Sequence, residues 1–169
     1  MKFKEWIDTK QEFTSKDTSI NKGKVPALFS NSSINWKSGT RNLDIGGGKF
    51  DTATNYLKQA GVENFIYDKF NRSTEHNQNV LKVKEFDTAT LSNVLNVIKE
   101  QDVQETLVKL AASKAPVLYV TVYKDTKATG PKVSGDKFQH HMKLRKYIPL
   151  IKKYFNNAVI RKGVIHAWK

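Results

Sequence analysis

Apolar residues in this chain follow two rhythms, short continuous runs and longer stretches with helical spacing, and from residue 41 onward the two alternate. Leu43-Asp44-Ile45 is a short strand that runs straight into Gly46-Gly47-Gly48. Ala53, Tyr56, Leu57 and Ala60 then recur at i, i+3, i+4 and i+7, which predicts a helix with one buried face, and Gly61 supplies its stop. Asn64-Phe65-Ile66-Tyr67-Asp68 predicts a second strand ending on an acid, and residues 73–83 predict a helix with Ser73 as its N-cap. Lys99 to Ala112 places Val103, Leu107, Leu110 and Ala111 on one helical face, and Ala115 to Tyr123 reads as a further strand. Strands that take turns with helices in this way predict an α/β, doubly wound sheet.

The flanks read differently. Residues 1–40 form an extension without strong periodicity, in which Phe3, Trp6, Ile7 and Phe13 suggest one short helix and Lys22-Gly23-Lys24-Val25-Pro26 a turn. Such an extension either covers a bound cofactor or anchors itself on the sheet. Past residue 123, Thr129 to Asp136 reads as a turn-rich, mobile loop leading into a helix from Phe138 to Tyr147. Pro149 opens a new helical turn or kinks the helix, which continues to Phe155 and ends at Asn156-Asn157. Ala158 to Arg161 and Val164 to Trp168, joined by Lys162-Gly163, predict a terminal antiparallel hairpin. The expected organisation is one domain over 1–169, with a core at 41–123 and a basic helix and hairpin at 124–169.

The triple glycine gives the alternation a chemical meaning. Asp44 stands at the carboxyl end of a strand, and Gly46 and Gly48 let the backbone approach a ligand where a Cβ would collide. A glycine turn alone is a weak sign. Here Asp68 ends the next strand 24 positions beyond Asp44, where an acid accepts the hydroxyls of a ribose. A pyrophosphate loop wants G-x-G-x-x-G, whereas here an acid precedes the first glycine. That carboxylate repels a diphosphate and suits a ligand with a positive centre and an amino-acid tail, which disfavours a nicotinamide-dependent reductase.

These stretches resemble motifs I and II of the class I S-adenosylmethionine-dependent methyltransferases, and the resemblance runs in order over about residues 41 to 123. Phe86 to Ile98 is similar to that family's fourth strand, an F-D followed by an apolar strand with a polar residue near its end, and Ala115 to Tyr123 to its fifth. The terminal hairpin is similar to the antiparallel strands six and seven that mark methyltransferases among doubly wound, Rossmann-like folds. Leu43 to Lys49, Tyr67 to Ser73 and Ser92 to Ile98 also resemble stretches of small methyltransferase-like proteins, some encoded by phages and mobile elements. The resemblance implies S-adenosylmethionine as cofactor, held by Asp44, Gly46, Gly47, Gly48 and Asp68, with Lys69 or Phe70 over one adenine face and the Asp87-Thr88 pair at its edge. Two departures stand out. Phe50 replaces the third glycine of motif I, and only 18 residues separate Asp68 from Asp87, room for one helix where a full member fits helix, strand and helix. The third strand, with its adenine-contacting acid, is therefore expected to be missing.

Composition narrows the chemistry. With 169 residues, 38% of them hydrophobic, the chain is long enough for one continuous core and has no room for a separate recognition domain. It contains no cysteine, which excludes disulfides, thiolate metal sites and the thiolate attack used in cytosine C5-methylation. No apolar run approaches a bilayer span and the first residues lack the apolar core of a signal peptide, so a cytoplasmic protein that does not engage membranes is expected. The net charge of +13 is uneven: residues 124–169 carry ten lysines and two arginines against Asp125 and Asp136. A field of that sign beside the mouth of a doubly wound sheet attracts polyanions, and nucleic acid is the partner it favours over a lysine-rich surface that is merely solvated.

Candidate reacting groups follow from position. Asn93, at the end of the fourth strand, is placed to orient a target amine or hydroxyl, or equally to satisfy a strand-end turn. The amino-methylating DNA enzymes carry two prolines and an aromatic after this residue, and Asn93-Val94-Leu95-Asn96 has neither. His140, His141, Lys143 and Arg145 gather at the start of the expected basic helix, where they would contact phosphates, take a substrate proton or form an exposed polar face. No metal site is expected, since adjacent histidines diverge and no i, i+4 partner completes a ligand set. The reading is thus a methyltransferase acting on nucleic acid or, alternatively, a protein that keeps the fold without catalysis and binds nucleic acid or a protein partner through its basic surface.

Overall fold

Strands covered on both faces bury nearly every residue, and this burial pattern identifies the centre of the sheet. In the computed structural model, which describes residues 5–14, 23–123 and 129–169, β1 (Arg41–Ile45) buries four of its five residues. β3 (Thr88–Ser92) buries its middle three. Around them lie β2 (Glu63–Tyr67), β4 (Val117–Thr121), β7 (Asn157–Arg161) and β8 (Val164–Trp168), in the order β2-β1-β3-β4-β8-β7. The first four run parallel, while β8 lies antiparallel to both β4 and β7. The terminal hairpin is therefore present, and β2 is an edge strand with no third strand beyond it among the described residues.

Hydrogen bonding pins the register of this centre. Asn42 is fully buried and donates to Asn64 on β2 (2.9 Å) and to Thr90 on β3 (3.0 Å), while the Thr88 hydroxyl donates back to its Oδ1 at 2.7 Å. A slip of any of the three strands would strand a buried amide, which costs about 1–3 kcal/mol.

Two layers cover the sheet. α1 (Thr52–Gln59) packs Ala53 and Leu57 on one face, together with Leu28, Phe29 and Ile34 of the extension. Trp36 stacks on Phe29 and meets Tyr119 edge-on, and Asn31 donates to the carbonyl of Lys162, so residues 23–40 are an arm anchored on the sheet. The other face carries α2 (Thr74–Lys82), α3 (Gln101–Lys114) and α4 (Ile148–Ile151), with Val80, Leu107 and Ile151 in its core. Ser73 caps α2, its Oγ accepting from the amide of His76, and Pro149 sits in the first turn of α4. After β2 the chain crosses by way of α2 directly to β3, so one strand–helix unit of the doubly wound pattern is skipped.

The segment after β4 departs from expectation. Gly130 to Asp136 is not a loop and Phe138 does not start a helix: β5 (Gly130–Ser134) and β6 (Lys137–His141) form a separate two-stranded antiparallel hairpin. Gly135-Asp136 makes its turn, and the two apolar residues Val133 and Phe138 face each other across it. Helical structure begins only with a single 3-10 turn, Leu144–Tyr147, ahead of α4, and the helix ends at Ile151 rather than at Asn156. At the other end, the short helix expected there is a single 3-10 turn, Trp6–Asp8, that does not extend to Phe13, and Phe3 and Lys22 lie outside the described residues.

Candidate functional site

The carboxyl ends of β1 and β3 open into a cavity of about 470 Å³. Its floor is the glycine loop with Asp44, Asp68 and Asn71, and one wall is Ser92, Asn93, Val94 and Asn96. Trp6 and Gln11 enter from the amino-terminal segment, and the β5–β6 hairpin supplies a roof of Lys132, Ser134, Lys137, Phe138, Gln139 and His141. Tyr123, just past β4, completes the rim. The volume lies within the range of small-molecule sites.

Close approach explains the glycines. Gly46 has φ of +75°, and a Cβ there would sit 2.6 Å from a methyl of Val94. A Cβ on Gly47 would come 2.5 Å from Oδ2 of Asp44. The loop is also clasped from outside: Asp68 Oδ2 accepts from the amide of Gly48 at 2.8 Å, and Arg72 donates to the carbonyls of Gly48 (2.8 Å) and Phe50 (3.3 Å). Arg72 further pairs with Asp51 at 2.8 Å. These bonds hold the turn into α1 where the missing third glycine would have left the backbone freer. Asp68, 1% exposed, spends its other oxygen on the amides of Phe70 and Asn71, both at 3.0 Å, so its carboxylate braces the loop in this state.

Asp44 is the electrostatic anomaly. It is 1% exposed, and burial pushes its pKa up to about 7, with the Thr90 hydroxyl, 3.1 Å from Oδ1, and the Asn64 side chain opposing the rise and the nearby Asp68 charge adding to it. Its Oδ2 is buried without any hydrogen-bond partner, and so are Oγ of Ser92 and Oδ1 of Asn96, a residue 2% exposed. Buried acceptors left open cost free energy, and here three of them line one cavity. An orphaned carboxylate oxygen beneath a glycine turn fits a cationic N–H donor. Asn93 is exposed in the wall and adopts φ of +56°, a left-handed conformation that asparagine tolerates better than most residues, with its amide bonded to the carbonyl of Thr121 at 2.9 Å.

The structure brings Asp44, Gly46, Gly47, Gly48, Asp68, Asn93 and His141 to one cavity and leaves the other candidates outside it. Asp87 and Thr88 sit at the amino end of β3, at the opposite end of the sheet, where Asp87 accepts from the amide of Arg41 at 2.8 Å. They do not reach the cavity that an adenine edge would enter. Lys69 donates to the carbonyl of Thr9, and Phe70 packs edge-on against Trp6 with ring centroids 5.9 Å apart, so both support the wall from behind. His140 and His141 are strand residues on opposite faces of β6, and Lys143 and Arg145 belong to the turn that follows; the basic helix start does not exist. Trp6, Ser92, Asn96, Tyr123, Lys132 and Lys137 were missed. Of these, Ser92 and Tyr123 were recoverable as the residues at or just beyond the carboxyl ends of two predicted strands. Among the described residues no group of three or more His, Cys, Asp or Glu side chains is placed to hold a metal ion, and no helix is long and apolar enough to cross a membrane.

A solved structure shares this architecture. The 1,6-didemethyltoxoflavin-N1-methyltransferase of Burkholderia thailandensis, with bound 1,6-didemethyltoxoflavin and S-adenosylhomocysteine, matches with a TM-score of 0.58 at 14% identity over 78% of this chain and 72% of its own. A TehB-like S-adenosylmethionine-dependent methyltransferase from Corynebacterium glutamicum gives a TM-score of 0.46 at 12% identity, over 84% of each chain. No protein-family model matches the sequence, and no curated protein is significantly similar to it. Strand order, terminal antiparallel hairpin and the likeness to the Burkholderia enzyme agree: the chain has the class I S-adenosylmethionine-dependent methyltransferase fold, built without its third strand.

Proposed function

We propose that the protein is a cytoplasmic S-adenosylmethionine-dependent methyltransferase whose acceptor is nucleic acid. The observation that carries the proposal is the buried, unpartnered Oδ2 of Asp44 under the glycine turn, in the same cavity as Asn93. The Burkholderia enzyme of this fold, solved with S-adenosylhomocysteine, supports the choice of cofactor. When bound, that cofactor supplies a methyl carbon activated by a positively charged sulfur.

The residues divide the remaining work. Asp44 accepts from the amino group of the cofactor's amino-acid tail, and Gly46 and Gly47 leave room for that tail beside Val94 and the carboxylate. Asp68 and Arg72 keep the turn in place. Asn93 holds the acceptor nitrogen or oxygen in line, since alignment is the larger part of such a transfer. In this reading His141, which lines the roof, takes the acceptor's proton. Of the lysines and arginines of residues 124–169, Lys132 and Lys137 line this mouth and attract a polyanionic acceptor to it.

One observation favours the second reading, a fold that binds nucleic acid or a protein without catalysis: both oxygens of Asp68 are already engaged inside the protein. Calorimetric titration with S-adenosylmethionine and S-adenosylhomocysteine, on the wild type and on Asp44→Ala, separates the two. Micromolar binding that the substitution abolishes supports the methyltransferase and warrants labelled-methyl assays on DNA and RNA. Absence of binding at millimolar ligand overturns it in favour of the second reading.

A further inference from the structure

The roof of the cavity carries features to which the proposed cofactor contacts give no role. Lys132 and Lys137 line it from the β5–β6 hairpin, are exposed, and form no ion pair or side-chain hydrogen bond among the described residues. The carboxylates, Asp44 and Asp68, lie on the floor. The cavity is therefore polarised, negative below and positive above.

Apolar exposure concentrates at the same place. Tyr123 and Val133, at 58% and 60%, are the most exposed large hydrophobic side chains among the described residues, and both belong to this rim and hairpin. Tyr123 lines the cavity, meets His141 in a T-shaped contact at 6.4 Å, and keeps more than half of its surface open to a flat ligand. On the inner side Phe138 is already used, stacked on Phe13 with centroids 5.7 Å apart.

We infer that this rim is a subsite for single-stranded nucleic acid, in which one base stacks on Tyr123 while flanking phosphates lie on Lys132 and Lys137. The inference rests on the methyltransferase reading and names the form of its acceptor. A phosphate chain matches the unpaired ammonium groups, and an aromatic face matches the exposed ring. Only a base that has left its stack can reach the wall residue Asn93 in about 470 Å³ under a roof, and a single strand presents one without the cost of unpairing.

The test is fluorescence anisotropy with a labelled 12-nucleotide single strand, the same strand annealed to its complement, and unlabelled nucleoside monophosphate as competitor. The proteins are wild type, Tyr123→Ala, Tyr123→Phe and the double variant Lys132→Ala/Lys137→Ala, with S-adenosylhomocysteine titrated into each. Single strand is expected to bind at least tenfold tighter than duplex. Tyr123→Ala weakens it roughly tenfold and Tyr123→Phe leaves it within about twofold, as stacking requires. The double lysine variant lowers the slope of log affinity against log salt by about 1.4. Equal or tighter duplex binding, an unaffected Tyr123→Ala, or monophosphate competing as well as the strand overturns the inference. A parallel loss of S-adenosylhomocysteine affinity in the variants also overturns it, because the roof would then belong to the cofactor site. Strand binding as expected with no S-adenosylhomocysteine binding to any protein upholds the subsite and overturns the methyltransferase reading instead.

Discussion

Asp44 couples stability to pH and, on the proposed function, to ligand binding. Its pKa stands near 7 in the folded protein against an ordinary 3.8, so the folded state holds this proton more tightly than the unfolded chain. The associated stability is complete below about pH 4 and is lost as pH rises through 7, about 4 kcal/mol over the whole window. Chemical denaturation of the ligand-free protein is expected to show Asp44→Asn gaining on the wild type between pH 5 and pH 8, and an unchanged gap refutes the assignment. A cationic ligand acts in the opposite sense, since it favours the carboxylate and expels the proton. Affinity for S-adenosylhomocysteine therefore rises from pH 6 to 8, with proton release detectable by calorimetry in buffers of different ionisation enthalpy, and levels off above. Gly47→Ala probes the same oxygen without backbone strain, as Gly47 has ordinary φ and only its Cβ offends. We expect its affinity for the same ligand to fall by more than tenfold, a displacement of about an ångström being enough for that. Wild-type affinity in this variant shows that Asp44 is not the contact.

Among the elements, legibility tracked how much of each pattern is local. α1, α3 and the parallel strands were readable because every third or fourth residue, or a whole short run, is apolar. Ser73 was readable because a cap is a one-residue signal; Ser73→Ala should cost about 1 kcal/mol in urea unfolding, as other caps do. A cost under 0.3 kcal/mol contradicts the bond seen to the His76 amide. The β5–β6 hairpin was misread because its alternation rests on Val133 and Phe138 alone, amid lysines and Gly-Pro. Its one clear signal, the two-residue Gly-Asp turn, fits a loop equally well. Asp87 and Thr88 lie outside the cavity for a different reason: they precede the apolar run, and in a parallel sheet that puts them at the end away from it. In the candidate site, the glycine loop was legible because motif and geometry coincide there, whereas the roof is assembled by residues remote from it in sequence.

Across the whole molecule, the skipped strand–helix unit leaves β2 as an outer strand, and the protein covers that side economically. His76 bonds the carbonyl of Ile66 at 2.7 Å, and Asn77 bonds both the amide and the carbonyl of Asp68. Such an edge still opens before the centre. Hydrogen exchange should release the amides of β2 and β7 well ahead of those of β1 and β3, and uniform protection across the sheet argues against the strand order. Residues 23–40 of the amino-terminal extension anchor on the sheet, and Trp6, earlier in the chain, lines the cavity. That position turns the indole into a built-in optical reporter. Of the three tryptophans, Trp36 and Trp168 do not line the cavity, whereas Trp6, 2% exposed and held by Gln11 at 2.7 Å, forms part of its wall. Filling the cavity changes the surroundings of one emitter and spares two. Titration should thus shift the intensity or colour of a minority of the tryptophan emission, and Trp6→Phe should silence that response while leaving the remaining light unchanged.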